Sequence, residues 1–197
     1  MNRFVSVIHT FLKRDKFTRH IEEYFAGHSI AQIEFRAGPL QKIIPDFYVF
    51  EIAPGPKSPL WTYVSSGARQ IKIEGDSKLE FLIVFEEKNR HLVELLAMVT
   101  YYHADPKSHL GQGHTLPLGE PWVESSTCDY FLISHPYIFG ADLEIWQERN
   151  GHGHLLWLLP ITLAERDFKI KHGLEELEKR FESSQVNYCL PNRPSVV

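Results

Sequence analysis

The sequence has few cysteines and no excess of basic residues. The first argues against a disulfide-stabilised protein and the second against a nucleic-acid-binding protein. The two cysteines among the 197 residues, Cys128 and Cys189, lie far apart and form no CxxC motif. We therefore predict two reduced thiols rather than a disulfide framework, although the sequence leaves their separation open. The chain has 21 Lys and Arg against 25 Asp and Glu, a net charge of −4. A protein that follows nucleic-acid phosphates needs a basic surplus, so nucleic-acid binding is not predicted.

Long apolar runs are also absent, and this argues against a membrane protein. The apolar stretch at residues 4–8 is interrupted at His9 and is followed by no small-residue cleavage site. It is too short for a signal sequence or a membrane span, and the chain has no polybasic anchor. We therefore expect a cytoplasmic protein without a membrane partner.

The residues that are present have the balance of a globular protein. Hydrophobic residues make up 43% of the chain and charged residues 23%, and no repeat or low-complexity tract interrupts them. The length suits one domain that spans residues 1–197. Residues 186–197 are expected to fray, because they are rich in proline and lack a periodic pattern.

Periodicity predicts an α+β fold with a mixed, largely antiparallel sheet and helices packed against it. A helix is expected from the N-cap Asp15 to Gly27, another at 89–103, and a third from the capping box at Thr162, with a break at Gly173. The run 155–159 is apolar on both faces and predicts a central strand. Further strands are predicted at residues 30–35, 47–52, 60–65, 79–85, 130–134 and 143–148.

No catalytic constellation is found. The nucleophile motif G-x-S-x-G is missing, and the eleven histidines include no H-E-x-x-H. His152 and His154, at a hairpin tip, point the same way along a strand, but two solvated turn residues are the favoured interpretation. We predict no metal, no cofactor and no enzymatic activity.

The long loop at residues 105–126 is the main candidate for recognition, because loops on a rigid sheet often carry binding residues. An aromatic side chain flanked by acids suits a basic protein partner. The alternative is that Trp122 fills the core beneath the loop, since tryptophan is usually buried. The candidate partner-binding residues are His114, Glu120, Trp122 and Glu124, with Trp61 and Tyr63 on a second face.

Three segments together resemble the Suppressor of fused domain. The first is LWTYVSSG at residues 60–67, and the second is the strand 79–85 with the helix that follows it. The third begins with GHTLPLG at 113–119 and FLISHP at 131–136, and continues through LLPITLAE at 158–165 to GLEEL at 173–177. The resemblance extends over about residues 30–185.

The resemblance implies binding to a protein rather than catalysis. Animal members are Hedgehog-pathway inhibitors that hold a transcription factor between two halves, and this chain is similar only to the N-terminal half. Stand-alone domains of this size resemble the bacterial branch, in which such domains serve as immunity proteins, or antitoxins, against a cognate toxin. The alternatives are an adaptor that sequesters a different protein and, less favoured, a metal-assisted hydrolase that uses the histidines.

Overall fold

A computed structural model describes residues 15–73, 78–184 and 186–197. The apolar stretch at residues 4–8, which we considered as a signal sequence, lies outside the described residues. Within them, no helix has the length and hydropathy needed to cross a bilayer. In chain order, the elements are α1 (Lys16–Tyr24), β1 (Ile30–Glu34), α2 (Leu40–Ile43), β2 (Tyr48–Ile52), β3 (Trp61–Ser66), a 3₁₀ turn (Ala68–Gln70), β4 (Lys78–Phe85), α3 (His91–His103), β5 (Thr115–Pro117), β6 (Tyr130–Ser134), α4 (Ala141–Glu144), β7 (Ile145–Glu148), β8 (Gly151–Ile161), α5 (Leu163–His172) and α6 (Leu174–Ser184).

The chain divides into two compact units, and that residues 1–197 form one domain stays a prediction. Unit 1 extends to His109 and includes His135–Leu156, and unit 2 comprises Leu110–Ser134 and Trp157–Val197. Strand β8 begins in unit 1 and ends in unit 2. Every strand pairing with a described register is antiparallel. The predicted α+β class with a largely antiparallel sheet is confirmed.

In unit 1, four strands lie in the order β1-β2-β3-β4, and β7 forms a hairpin with the first part of β8. Helix α1 begins as predicted at Asp15, whose carboxylate accepts a 2.7 Å hydrogen bond from the Thr18 amide. Its buried Phe17 ring lies 4.7 Å from the ring of Trp146 in β7. Gly153 makes room for this indole, because a Cβ there would lie 2.1 Å from Trp146 Cζ2.

Unit 2 contains β5, β6 and the second part of β8, with helices α5 and α6. The five residues from Leu155 to Leu159 are all buried, so the prediction of a strand covered on both faces is confirmed. Trp157 is 2% exposed and pairs with Ser134 of β6. The predicted capping box is present, since Thr162 and Glu165 exchange side-chain to backbone hydrogen bonds at 2.8 and 3.2 Å.

The end of the chain packs on unit 2, so the prediction that it frays is wrong. Arg193 is 2% exposed and forms two hydrogen bonds with the Glu165 carboxylate, at 2.6 and 2.7 Å. Its second guanidinium nitrogen also donates to the carbonyl of Pro160 at 2.9 Å. The side chain of Ser126 and the amide of Thr127 both donate to the carbonyl of Pro191. A buried bidentate ion pair holds a segment that has no periodic pattern of its own.

Candidate protein-binding surface

The part of loop 105–126 in unit 2 is held by buried side chains and backbone hydrogen bonds. Leu116, Trp122 and Val123 are 3%, 1% and 4% exposed. The amide of Trp122 donates to the carbonyl of Cys128 at 3.1 Å, and that of Ser126 donates to Val123 at 3.1 Å. The loop is therefore an ordered part of the surface rather than a loose connection.

The loop separates the predicted binding residues into an exposed group and a buried one. His114, Glu120 and Glu124 are exposed. Trp122 fills the core beneath them, which is the structural alternative that the sequence had left open. Its indole is not available to a partner, so a direct contact with Trp122 is excluded in this conformation. The recognition role of the three exposed residues stays a prediction.

The second predicted face, in unit 1, offers one partly accessible aromatic residue. Tyr63 is buried, its hydroxyl accepts a 2.8 Å hydrogen bond from the Asn89 amide, and burial raises its pKa to about 12. Trp61 is partly exposed, with the ammonium of Lys88 5.1 Å above its ring. Lys88 also contacts the buried carboxylate of Glu51 at 2.6 Å. Tyr63 therefore supports the scaffold, and Trp61 stays a candidate contact.

The YVSSG segment at residues 63–67 is held in place by a buried carboxylate, Glu80, which the sequence analysis did not single out. Glu80 in β4 is fully buried, and its oxygens accept hydrogen bonds from Ser65 Oγ at 2.5 Å, Gly67 N at 2.7 Å and Arg69 Nη1 at 2.6 Å. Gly67 has a φ of 148°, and a Cβ there would lie 2.9 Å from a methyl group of Ile44. The sequence did contain a sign of this role, because Glu80 is the one charged residue in the otherwise apolar run 79–85.

This carboxylate also links the start of α1 to the sheet of unit 1. Arg69 contacts both Glu80 and Asp15, the N-cap of α1. Burial alone would lower the pKa of Arg69, but the two carboxylates raise it above its ordinary value. Burial raises the pKa of Glu80, while Arg69 and the hydrogen bonds from Ser65 and Gly67 oppose that rise. The cluster stabilises the turn, and its central carboxylate, Glu80, is fully buried.

The histidines at the hairpin tip lie beside a carboxylate in unit 1. The rings of His152 and His154 are 4.9 Å apart, and His154 Nδ1 lies 3.5 Å from Glu144 Oε1. His135 Nδ1 approaches the same oxygen at 2.8 Å. Among the residues that the structure describes, no group of three or more His, Cys, Asp or Glu side chains is arranged to hold a metal ion. That the protein uses no metal remains a prediction.

Both cysteines are buried free thiols in unit 2. Burial raises the pKa of the Cys128 thiol, which disfavours the reactive thiolate. A buried thiol with a raised pKa behaves as a small apolar core residue, in line with the prediction of reduced cysteines.

These features define an α+β scaffold with exposed charged loops. The family model for the Suppressor of fused protein (SUFU) matches residues 45–194, and the chain belongs to that family. No curated protein matches the sequence.

Solved structures agree with this assignment. A SUFU homologue from Neisseria gonorrhoeae is 34% identical, with a TM-score of 0.81, over 93% of this chain and 96% of that chain. The structure of the Sufu–Fu complex matches at 12% identity and a TM-score of 0.66, over 83% of this chain and 81% of that one. Drosophila Suppressor of Fused matches at 11% and 0.62, over 83% of this chain and 45% of its own. The last two likenesses show the fold alone.

Proposed function

We propose that this chain is a non-catalytic protein-binding module that acts as an immunity protein, or antitoxin, against a cognate toxin. Membership of the SUFU family supports binding, because the fold recurs in a solved complex of Sufu with Fu. The resemblance to stand-alone bacterial members supports the immunity role, and the similar Neisseria protein matches nearly the whole chain.

The observation that carries the proposal is the pair of exposed carboxylates on a braced loop. Glu120 and Glu124 are exposed, while Trp122 between them is buried and orders the segment. A loop that is already ordered loses little conformational entropy when a partner binds. Exposed acids of this kind attract a basic partner and accelerate association. A basic toxin domain is therefore the partner that these residues suit.

The proposal is tested with the double variant Glu120→Lys and Glu124→Lys and the protein encoded by the neighbouring reading frame. Exposed charges contribute about 0–1 kcal/mol each to stability, so the melting temperature should barely change. Association should slow by roughly tenfold or more at low salt, and the loss should shrink as salt shortens the Debye length. Stopped-flow measurements over a range of salt concentrations read this directly.

The matched control is the double variant Glu23→Lys and Glu87→Lys, which makes the same charge change at two exposed acids of unit 1. The control should associate nearly as fast as the unchanged protein. If the loop variant associates normally at low salt, Glu120 and Glu124 are not in the interface. A partner that binds tightly but has no toxic activity would instead favour the alternative, an adaptor that sequesters another protein.

A further inference from the structure

Helix α3 in unit 1 is apolar around nearly its whole circumference, yet one side of it is open to solvent. Its inward side contacts β3 and β4 and buries eight residues. On the outward side, Met98, Tyr101 and Tyr102 are 38%, 44% and 42% exposed. A helix that is apolar on all sides is normally covered on all sides. The open side of α3 therefore has the character of a surface that another molecule covers.

The exposed apolar side chains form one continuous patch. Met98 lies three and four positions before Tyr101 and Tyr102, the spacing that places side chains next to one another on a helix. Glu94 lies one turn before Met98. Asp105 follows in the next turn, where its amide donates a 3.2 Å hydrogen bond to the Tyr102 carbonyl. We call these five residues the α3 face.

The composition of the α3 face is that of a binding surface. Tyrosine and methionine are enriched at the centres of protein interfaces, where they bury large areas and adapt to a partner. Among the residues that the structure describes, neither Tyr101 nor Tyr102 makes a hydrogen bond or a ring contact through its side chain. These side chains are therefore not needed to complete the packing of α3.

The charges at the two ends of the α3 face indicate what covers it. Glu94 is 64% exposed, and Asp105 is exposed at the other end. Within the chain, Glu94 lies 3.5 Å from His91 Nδ1, and Asp105 accepts a 3.0 Å hydrogen bond from the Lys107 amide. The neighbouring Arg90 approaches Glu51 at 4.0 Å. A second copy of the same face would bring carboxylates together whichever way the helices ran, which is unfavourable. Basic groups on a partner would complement both ends.

We propose that the α3 face is a docking surface for a segment of a partner protein that presents apolar side chains between lysine or arginine residues. This inference rests on the proposed protein-binding function, and it adds a second surface, in unit 1, to the loop acids of unit 2. The apolar centre supplies the buried area, and the two carboxylates select a basic segment over an acidic one.

Two synthetic helical peptides of equal length test the α3 face. Both carry leucines at helical spacing, one flanked by lysines and the other by glutamates. The lysine peptide should bind at least tenfold more tightly in fluorescence anisotropy and should shift the Met98 methyl signal in NMR spectra. The double variant Tyr101→Ser and Tyr102→Ser should lose at least tenfold in affinity for it. The control Tyr137→Ser, at a tyrosine that is 58% exposed outside α3, should stay within twofold.

Three results would overturn the docking proposal. The first is equal affinity of the chain for the two peptides. The second is that the double variant at Tyr101 and Tyr102 binds the lysine peptide as tightly as the unchanged protein. The third is that the lysine peptide shows no saturable binding below about 1 mM. Analytical ultracentrifugation gives a further test. A dimer that the Tyr101→Ser and Tyr102→Ser variant disrupts would identify a second copy of the chain as the occupant and would refute the docking proposal. Because the peptides are not the toxin, failure here is distinguishable from failure of the immunity function, which is measured with the neighbouring protein.

Discussion

Among single residues, the buried charged side chains have the clearest roles. Glu80 orders the turn after β3, and Glu165 with Arg193 holds the end of the chain. Each of these carboxylates accepts several hydrogen bonds from backbone and side-chain donors. Burying a charge is costly unless it is paired in this way, so loss of one partner leaves a strongly destabilising group behind.

Replacing Glu80 by glutamine tests the role of the carboxylate in unit 1. The amide cannot accept from all the donors of Ser65, Gly67 and Arg69 at once, and it leaves Arg69 without its buried counter-charge. We expect a loss of about 3–5 kcal/mol in guanidinium unfolding. The matched control Glu34→Gln breaks a partly exposed ion pair with Arg36 and should cost less than about 1 kcal/mol. Equal small losses in both would show that Glu80 is not structurally important.

His103 should make stability depend on pH. It is fully buried, and burial, with His109 nearby, lowers its pKa from 6.5 to about 4. Between these values the unfolded chain binds a proton that the folded chain does not, so stability falls as the pH drops from 6.5 toward 4. The contribution between pH 7 and pH 5 is about 2 kcal/mol.

The measurement is urea unfolding of the unchanged protein and of the variant His103→Leu at both pH values. The variant should lose about 2 kcal/mol less than the unchanged protein on going from pH 7 to pH 5. Both proteins contain the other histidines, so the contribution of those residues to the pH dependence of the unfolding free energy cancels in the comparison. An identical pH dependence in the two proteins would mean that the buried ring titrates normally.

At the scale of secondary structure, local patterns predicted most of the fold. Helix α1 and the capping box of α5 were predicted because their signals, Asp15 and the Thr162–Glu165 pair, lie within one turn of the element that they start. Helix α2 and strand β5 were not predicted, since four and three residues show no period. The ordered end of the chain was missed for a different reason: Arg193 pairs with a residue 28 positions away.

Replacing Arg193 by alanine tests whether the last segment is part of unit 2. Removal of the guanidinium leaves Glu165 buried without its counter-charge, and Pro160 loses a donor. We expect a loss of about 3–5 kcal/mol in chemical unfolding. The exposed basic residue Arg180, changed to alanine, serves as the control and should cost less than about 1 kcal/mol. A negligible effect of Arg193→Ala would restore the prediction of a frayed end.

For the molecule as a whole, sequence reasoning found the family, but it did not show which side chains of the candidate loop are exposed. It could not distinguish the exposed Glu120 and Glu124 from the buried Trp122, because burial depends on contacts distant in sequence. It also overlooked Met98, Tyr101 and Tyr102, whose spacing is the same as that of core residues on α3. Which apolar residues of α3 are exposed is known only from the structure, which shows the side of the helix that packs against β3 and β4.

The central claim is that this chain works by binding and neutralising another protein. Calorimetric titration of the chain into the protein encoded by the neighbouring reading frame, with the toxic activity of that protein followed in parallel, tests it most directly. The account predicts a saturable complex and loss of the toxic activity as the complex forms, with both effects weakened by Glu120→Lys and Glu124→Lys. Toxic activity that continues unchanged at saturating chain, or the absence of any complex, would contradict it.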